Sequence, residues 1–305
     1  MVSPESREYF RKLHETPAFG ADGFNLEDLR HGMGTRRPPS DPAAQCIPVE
    51  RDGLPGEWVL APGADPDVRL LYLHGGGFVS GSAAFYLALA SHLSAAAGCA
   101  VFLPDYRLAP EHRFPAALED CVRAYEWMRA TGPAGLAPAA ATHIAGDSAG
   151  GGLTLATLLT LRDRQRPLPR GAVALSPFAD LTLAGDSIRS EAELDPIMSP
   201  KCLPDFVDLY LGDADPRNPL ASPAFGDYAG TPPLLIQVGE HEIIRNDSEQ
   251  VAAKAAADGA DVTLEVWEGM FHVFQSHEPL LPEGEQAVES IGAFLRLHSD
   301  RATET

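Results

Sequence analysis

Short apolar runs and longer stretches with helical spacing alternate along most of this chain. Runs of strand length lie at 45–50, 56–61, 69–73, 100–104, 141–145, 171–176, 233–238 and 262–267, and the last of them alternates apolar with polar side chains. Between them, stretches such as 116–129 and 153–162 carry helical patterns. Strands alternating with helices predict a mostly parallel sheet flanked by helices, the α/β class. Ahead of this rhythm, Ser3 before Pro4 is an N-cap followed by proline at the first helical position, opening a helix through Tyr9, Phe10 and Leu13. Residues 31–43, with Arg36-Arg37-Pro38-Pro39, read as a linker, and the alanine-rich stretch 133–142 reads as a loop. The rhythm breaks over 183–224, where Pro196, Pro200, Pro204 and Pro216 punctuate the apolar stretch 206–211. The expected division is therefore 1–44 as N-terminal cap helices and linker, 45–298 as the core with 183–224 contributing to the cap, and 299–305 as a tail. No internal repeat is seen.

The strand ending at 145 runs into Gly146-Asp147-Ser148-Ala149-Gly150, and a helical stretch follows. Gly-x-Ser-x-Gly in that setting presents a serine hydroxyl at the tip of a sharp strand-to-helix turn. Small residues two before and two after it let neighbouring segments pass, and the helix N-terminus offers N–H groups to a developing negative charge. The chain supplies its own control in Ala184-Gly185-Asp186-Ser187, which repeats the preceding residues but continues with Ile188 and Arg189 and has no strand close before it. Ser187 reads as a polar turn residue or helix cap. Upstream, 69–73 empties into His74-Gly75-Gly76-Gly77-Phe78, where backbone free of side chains can approach a substrate carbonyl and aim N–H donors at its oxyanion. His74 reads as a hydrogen-bonding brace for that loop rather than a base.

A serine nucleophile needs a base, and the base an orienting acid. His14, His31, His92 and His298 lie in helix-like polar contexts, where solvated surface is expected; His112 sits in a turn, and His143 heads the strand leading to Ser148 and points away from its far end. Of the remaining His241, His272 and His277, His272 lies just past the 262–267 strand, and in a parallel sheet such loops gather on the same edge as Ser148. It is the expected base. The acid belongs on the loop after 234–238, which offers Glu240, Glu242, Asp247 and Glu249. Asn246 and Glu249 have the spacing of a cap and its reciprocal partner, so Asp247 and Glu249 read as first-turn acids on a helix dipole. Glu242 is favoured over Glu240, because two residues of loop would let its carboxylate turn toward His272.

On these residues the chain resembles the hormone-sensitive-lipase-like carboxylesterases of the α/β-hydrolase superfamily, the bacterial esterases with a His-Gly-Gly-Gly motif, over residues 45–298. The resemblance implies an α/β-hydrolase fold, with a mostly parallel eight-stranded sheet and a helical cap. Ser148 is similar to the family's nucleophile, His272 to its base, and Gly76, Gly77 and Ala149 to its backbone oxyanion donors, with Gly75 completing the loop. Asp105-Tyr106-Arg107-Leu108-Ala109-Pro110-Glu111 also looks like a family segment of mainly structural role. Most members carry Asp as the acid; this sequence has Glu242 at the corresponding place, and a related subgroup with Gly-Asp-Ser-Ala-Gly looks like it uses Glu. An insertion at 183–224 would lie over the site, so Phe78, Asp147, Met198, Leu203, Phe206 and Tyr210 are candidates for the substrate pocket. The last four could equally do no more than pack the cap onto the core.

Composition narrows the setting. A length of 305 residues could hold two average domains, but the resemblance implies one core plus a cap. Cys46, Cys99, Cys121 and Cys202 are widely spaced and form no Cys-x-x-Cys or His-paired metal pattern, so reduced thiols in the cytoplasm are expected, with no metal or organic cofactor. The N-terminus is polar, without the apolar run of a signal peptide, and no membrane-spanning stretch is evident. A formal charge of −20 argues against nucleic acid or an anionic membrane as partner. A small-molecule ester is the expected partner, with homodimerisation left open. The expected activity is hydrolysis of short-chain carboxylic esters through an acyl-enzyme. The same scaffold could transfer the acyl group to an alcohol or catalyse elimination, and a non-catalytic small-molecule receptor is the alternative that the joint presence of Ser148 and His272 counts against.

Overall fold

A computed structural model describes residues 2–51, 53–277 and 280–299. Its strands are β1 (Gln45–Arg51), β2 (Leu54–Leu60), β3 (Asp65–Leu73), β4 (Cys99–Pro104), the short ribbon β5 (Thr131–Gly132) and β6 (Gly135–Leu136), β7 (Ala141–Asp147), β8 (Ala172–Leu175), β9 (Leu234–His241) and β10 (Val262–Phe271). All but the ribbon form one eight-stranded sheet in the order β1-β2-β4-β3-β7-β8-β9-β10. Antiparallel pairing joins β1 to β2 and β2 to β4; every other pair is parallel. The eight runs of strand length in the sequence are thus the eight strands of this sheet. The helices are α1 (Pro4–Leu13), α2 (Leu26–Gly34), α3 (Leu87–Ala97), α4 (Ala116–Ala130), α5 (Ala149–Asp163), α6 (Ser187–Ser190), α7 (Leu203–Leu211), α8 (Arg245–Ala257) and α9 (Pro282–Ser299).

The pleat divides the core in two. Leu71 and Leu73 of β3, Phe102 of β4, Ile144 of β7 and Ile236 of β9 face one way and pack with α4, α5 and α8. Their neighbours Leu70, Tyr72, Val101, Ala145 and Leu235 face the other and pack with α3 and α9. Burial on both faces explains why these strands read as continuous apolar runs.

The N-terminal segment and 183–224 meet over the carboxyl edge of the parallel strands. Phe19 and Met198 form an isolated parallel bridge, in which the Phe19 N–H donates to the Ile197 carbonyl at 2.8 Å and the Ser199 N–H to the Phe19 carbonyl at 2.9 Å. Arg30 of α2 donates to the carbonyls of Val79 and Ala109 at 2.8 and 2.9 Å and pairs with Glu111 at 2.6 Å. Ser3 caps α1 as expected and donates through its backbone N–H to Glu283 of α9 at 2.6 Å.

Several local readings change. The stretch 31–43 is not all linker: α2 runs to Gly34, Arg36 pairs with Glu57 at 2.6 Å, and Arg37 lies 3.7 Å over the Phe85 ring. The stretch 133–142 is not all loop, since it holds β6 and the first residues of β7. His298 is buried against Phe294 instead of solvated. Asn246 does not cap α8, which begins at Arg245; its Oδ1 accepts from the Ser187 N–H at 2.7 Å. Of the expected tail 299–305, Ser299 ends α9 and the rest lies outside the described residues.

Candidate active site

Ser148 stands between β7 and α5 with φ +51° and ψ −121°, a conformation that costs a non-glycine residue roughly 1–3 kcal/mol. Three backbone bonds hold it there. Its N–H donates to the Leu175 carbonyl at 2.8 Å, and its carbonyl accepts from Phe178 at 2.9 Å and Gly152 at 3.0 Å. The flanking glycines make the turn feasible: a Cβ on Gly150 would sit 1.9 Å from the Leu73 carbonyl oxygen, and one on Gly146 would sit 2.4 Å from that of Gly150. The sharp turn therefore requires side-chain-free backbone at both positions.

His272, directly after β10, points Nε2 at the Ser148 Oγ across 3.0 Å and Nδ1 at Glu242 Oε2 across 2.9 Å. Glu242 is fully buried; its other oxygen accepts from the Ser176 hydroxyl at 2.8 Å and from the Gly239 N–H. The structure thus brings the three residues into one hydrogen-bonded chain. Burial alone would push the His272 pKa down, but the hydrogen bond and charge of Glu242, with the charges of Asp195 and Asp147, outweigh it and raise the pKa above its ordinary value.

The preference for Glu242 has a different basis from the one expected. β9 continues through His241, so no two-residue loop precedes Glu242. His272 Nδ1 meets Glu242, whereas Glu240 turns its Oε2 to the Gly269 N–H at 2.8 Å. Asp247 is more than a first-turn acid: it is buried and accepts from the N–H groups of Ala179 and Asp180 at 2.8 and 2.9 Å. Ser187 is buried too, donating to the Ile243 carbonyl at 2.8 Å, and so props the acid loop instead of forming a surface turn. Sequence reasoning missed Ser176, which besides binding Glu242 accepts from the Val273 N–H at 3.2 Å. Its signal was a polar residue ending a buried strand, before Pro177, on the edge that carries Ser148.

The glycine loop follows β3. Gly76 and Gly77 have φ of +122° and +61°, and among the described residues no acceptor engages their N–H groups or that of Ala149. Gly75 differs from its neighbours. Its N–H meets Asp147 Oδ1 at 3.0 Å and the Tyr86 hydroxyl at 3.1 Å, so it is committed within the protein and cannot serve as an oxyanion donor. His74 is the expected brace, its ring stacked 4.2 Å from Tyr106 and Nδ1 2.9 Å from the Gly75 carbonyl.

Above Ser148 lies a cavity of about 280 Å³. Asp147, Met198, Leu203 and Phe206 contribute to its wall. Asp147, however, is buried with its carboxylate turned to Tyr72, Tyr86 and the Gly75 N–H, each within 3.0 Å. Burial pushes its pKa up to about 6 against the pull of those donors and of His272. Phe78 and Tyr210 are not on the wall; their rings stack 3.9 Å apart and pin the glycine loop to α7. The wall also includes Phe19, Leu29 and Met33, which the N-terminal pattern did not single out.

The α/β-hydrolase fold family matches residues 70–276. The chain belongs to that family. The hydrolase is 45% identical over 240 residues to an acetyl-hydrolase of Streptomyces hygroscopicus, the match covering 79% of each chain. Among solved structures, it superposes on an esterase/lipase from an uncultured bacterium with a TM-score of 0.91 at 41% identity, covering 98% of this chain and all of that one. An esterase of the bacterial hormone-sensitive lipase family gives a TM-score of 0.87 at 40% identity, covering 98% and 99%. The expected resemblance is borne out, and this hydrolase acts on carboxylic esters.

Proposed function

We propose that Ser148, His272 and Glu242 carry the ester hydrolysis, and that its substrates are small esters with short acyl groups. The observation behind the roles is the continuous chain from Glu242 through His272 to Ser148, at 2.9 and 3.0 Å. Ser148 Oγ attacks the carbonyl carbon while its proton passes to His272 Nε2, and the N–H groups of Gly76, Gly77 and Ala149 receive the oxyanion. The imidazolium then returns the proton to the departing alcohol, leaving an acyl-enzyme. Water, deprotonated by His272, attacks that ester, and the acid leaves as the Ser148 Oγ–H is restored. Glu242 holds the imidazole in the tautomer this requires. The N-terminal helices and 183–224 act together as a cap over the cavity, whose size, just below the roughly 300–1,000 Å³ common for small-molecule sites, favours short acyl chains. Cytoplasmic residence is supported by the four free cysteines, and a charge of −20 disfavours nucleic-acid or anionic-membrane partners. Among the described residues no helix is long and apolar enough to cross a membrane.

Specificity constants on esters of graded acyl length, with Ser148→Ala as the blank, test both parts. The expected maximum lies at roughly two to eight carbons, and the blank loses nearly all activity. A higher constant on long-chain esters, or activation at an oil interface, would overturn the size assignment; parental activity in Ser148→Ala would overturn the nucleophile.

A further inference from the structure

The loop carrying Glu242 is also held by a carboxylate that hydrogen-bonds to none of Ser148, His272 and Glu242. The N–H of Ile243, the residue after Glu242, donates to Asp195 Oδ2 at 3.0 Å. Asp195 Oδ1 accepts from the N–H groups of Ile197 and Met198 at 2.8 and 3.0 Å. Ile197 and Met198 form part of the cavity wall, as does Ile244 on the other side of the bond. One side chain, 3% exposed, therefore ties the wall to the acid loop.

Its charge bears on the chemistry as well. Burial pushes the Asp195 pKa up, and the charge of His272 with the three N–H donors opposes that shift. Both oxygens accept backbone N–H groups, an arrangement that asparagine, with a single carbonyl oxygen and a donating NH2, matches at only one end, so the site fits a carboxylate.

We propose that Asp195 is a positioning residue for ester hydrolysis, fixing the Glu242 loop against the cavity wall and placing a further negative charge beside the His272 imidazolium. This rests on the roles assigned above to Ser148, His272 and Glu242. When the Ser148 proton reaches His272 Nε2 as the Oγ–carbon bond forms, the new positive charge meets Glu242 from the acid loop, Asp195 from the 183–224 segment and Asp147 from the end of β7. Around Asp195 itself stand His272 and the buried Cys202 thiol. Glu191, whose carbonyl accepts the Asp195 N–H at 2.8 Å, directs its carboxylate to His241 and Arg245.

The test is the pH profile of kcat/KM on a short-chain ester for Asp195→Asn and for the smaller neutral Asp195→Ser, with folding checked by circular dichroism and Ser148 by organophosphonate labelling. Loss of one negative charge favours neutral imidazole, so the ascending limb should move to lower pH by about half a unit to one unit. The plateau kcat should fall about tenfold with little change in KM. A folded variant whose limb stays at the parental pH would overturn the proposal, as would failure of both variants to fold, which would assign Asp195 to stability alone. Labelling of the parent chain away from Ser148 would overturn the nucleophile and this proposal with it; labelling at Ser148 with an unmoved limb would overturn this proposal only.

Discussion

Two carboxylates five residues apart, Glu242 and Asp247, are both buried after β9, and their hydrogen bonds separate their work. Glu242 reaches His272, whereas Asp247 binds the amides of Ala179 and Asp180. Glu242→Gln should lower kcat by several orders of magnitude, because the imidazole is free to adopt the wrong tautomer; Asp247→Asn should leave kcat close to parental. Burial, with the charge of Asp180, pushes the Asp247 pKa up to about 8 despite its backbone donors. An acid whose folded pKa lies above its unfolded value contributes stability below the unfolded value and loses it as pH rises to the folded one, so Asp247→Asn should gain progressively in melting temperature relative to the parent from about pH 4 to 8. For His272 the activity needs the neutral form, and its pKa is raised. The ascending limb of kcat/KM should therefore lie above 6.5, the ordinary histidine value; a limb below it in the parent chain would contradict the three-carboxylate environment. Ser148 and His272 were legible because local pattern places each at a strand end. The true partners of Asp247 were not, since they lie 67 and 68 residues away and nothing local to Asp247 announces them.

At the level of elements, the site depends on close approach between the glycine loop and α7. A Cβ on Gly77 would fall 2.3 Å from the Phe206 ring, at a φ of +61° that side chains rarely adopt. Gly77→Ala should displace the loop and reduce kcat/KM by about a hundredfold or more, the scale of losing an oxyanion donor. Gly259→Ala is the control: its φ is +80° with nothing within 4 Å of the added carbon, so it should cost stability and leave kcat/KM unchanged. The strands could be read because burial on both faces leaves unbroken apolar runs. The position of α2 could not, because the helix is short and buries no residue completely; Leu29 and Met33 acquire a role only once Arg30 docks the helix on the glycine loop. The extension of β9 to His241 escaped for a similar reason, since Glu240 and His241 carry no strand signal of their own; His241 is held by pairing with Phe271 of β10 and Glu240 by the Gly269 N–H.

For the whole molecule, the groups proposed to carry catalysis come from loops after β3, β7, β9 and β10, which the parallel sheet brings to one edge. The cavity is closed by segments far apart in sequence, Phe19 against Ile197 and Met198, while α1 is anchored to α9 through Ser3 and Glu283. In the proposed mechanism Ser148 forms the covalent bond to substrate and His272 activates it. Peptide mapping by mass spectrometry after brief exposure to an organophosphonate, which mimics the tetrahedral intermediate, tests this most directly. The expected result is a single adduct on the peptide containing Ser148, absent in Ser148→Ala and much slower to form in His272→Ala. An adduct on Ser187 or elsewhere, or labelling undiminished in Ser148→Ala, would contradict it.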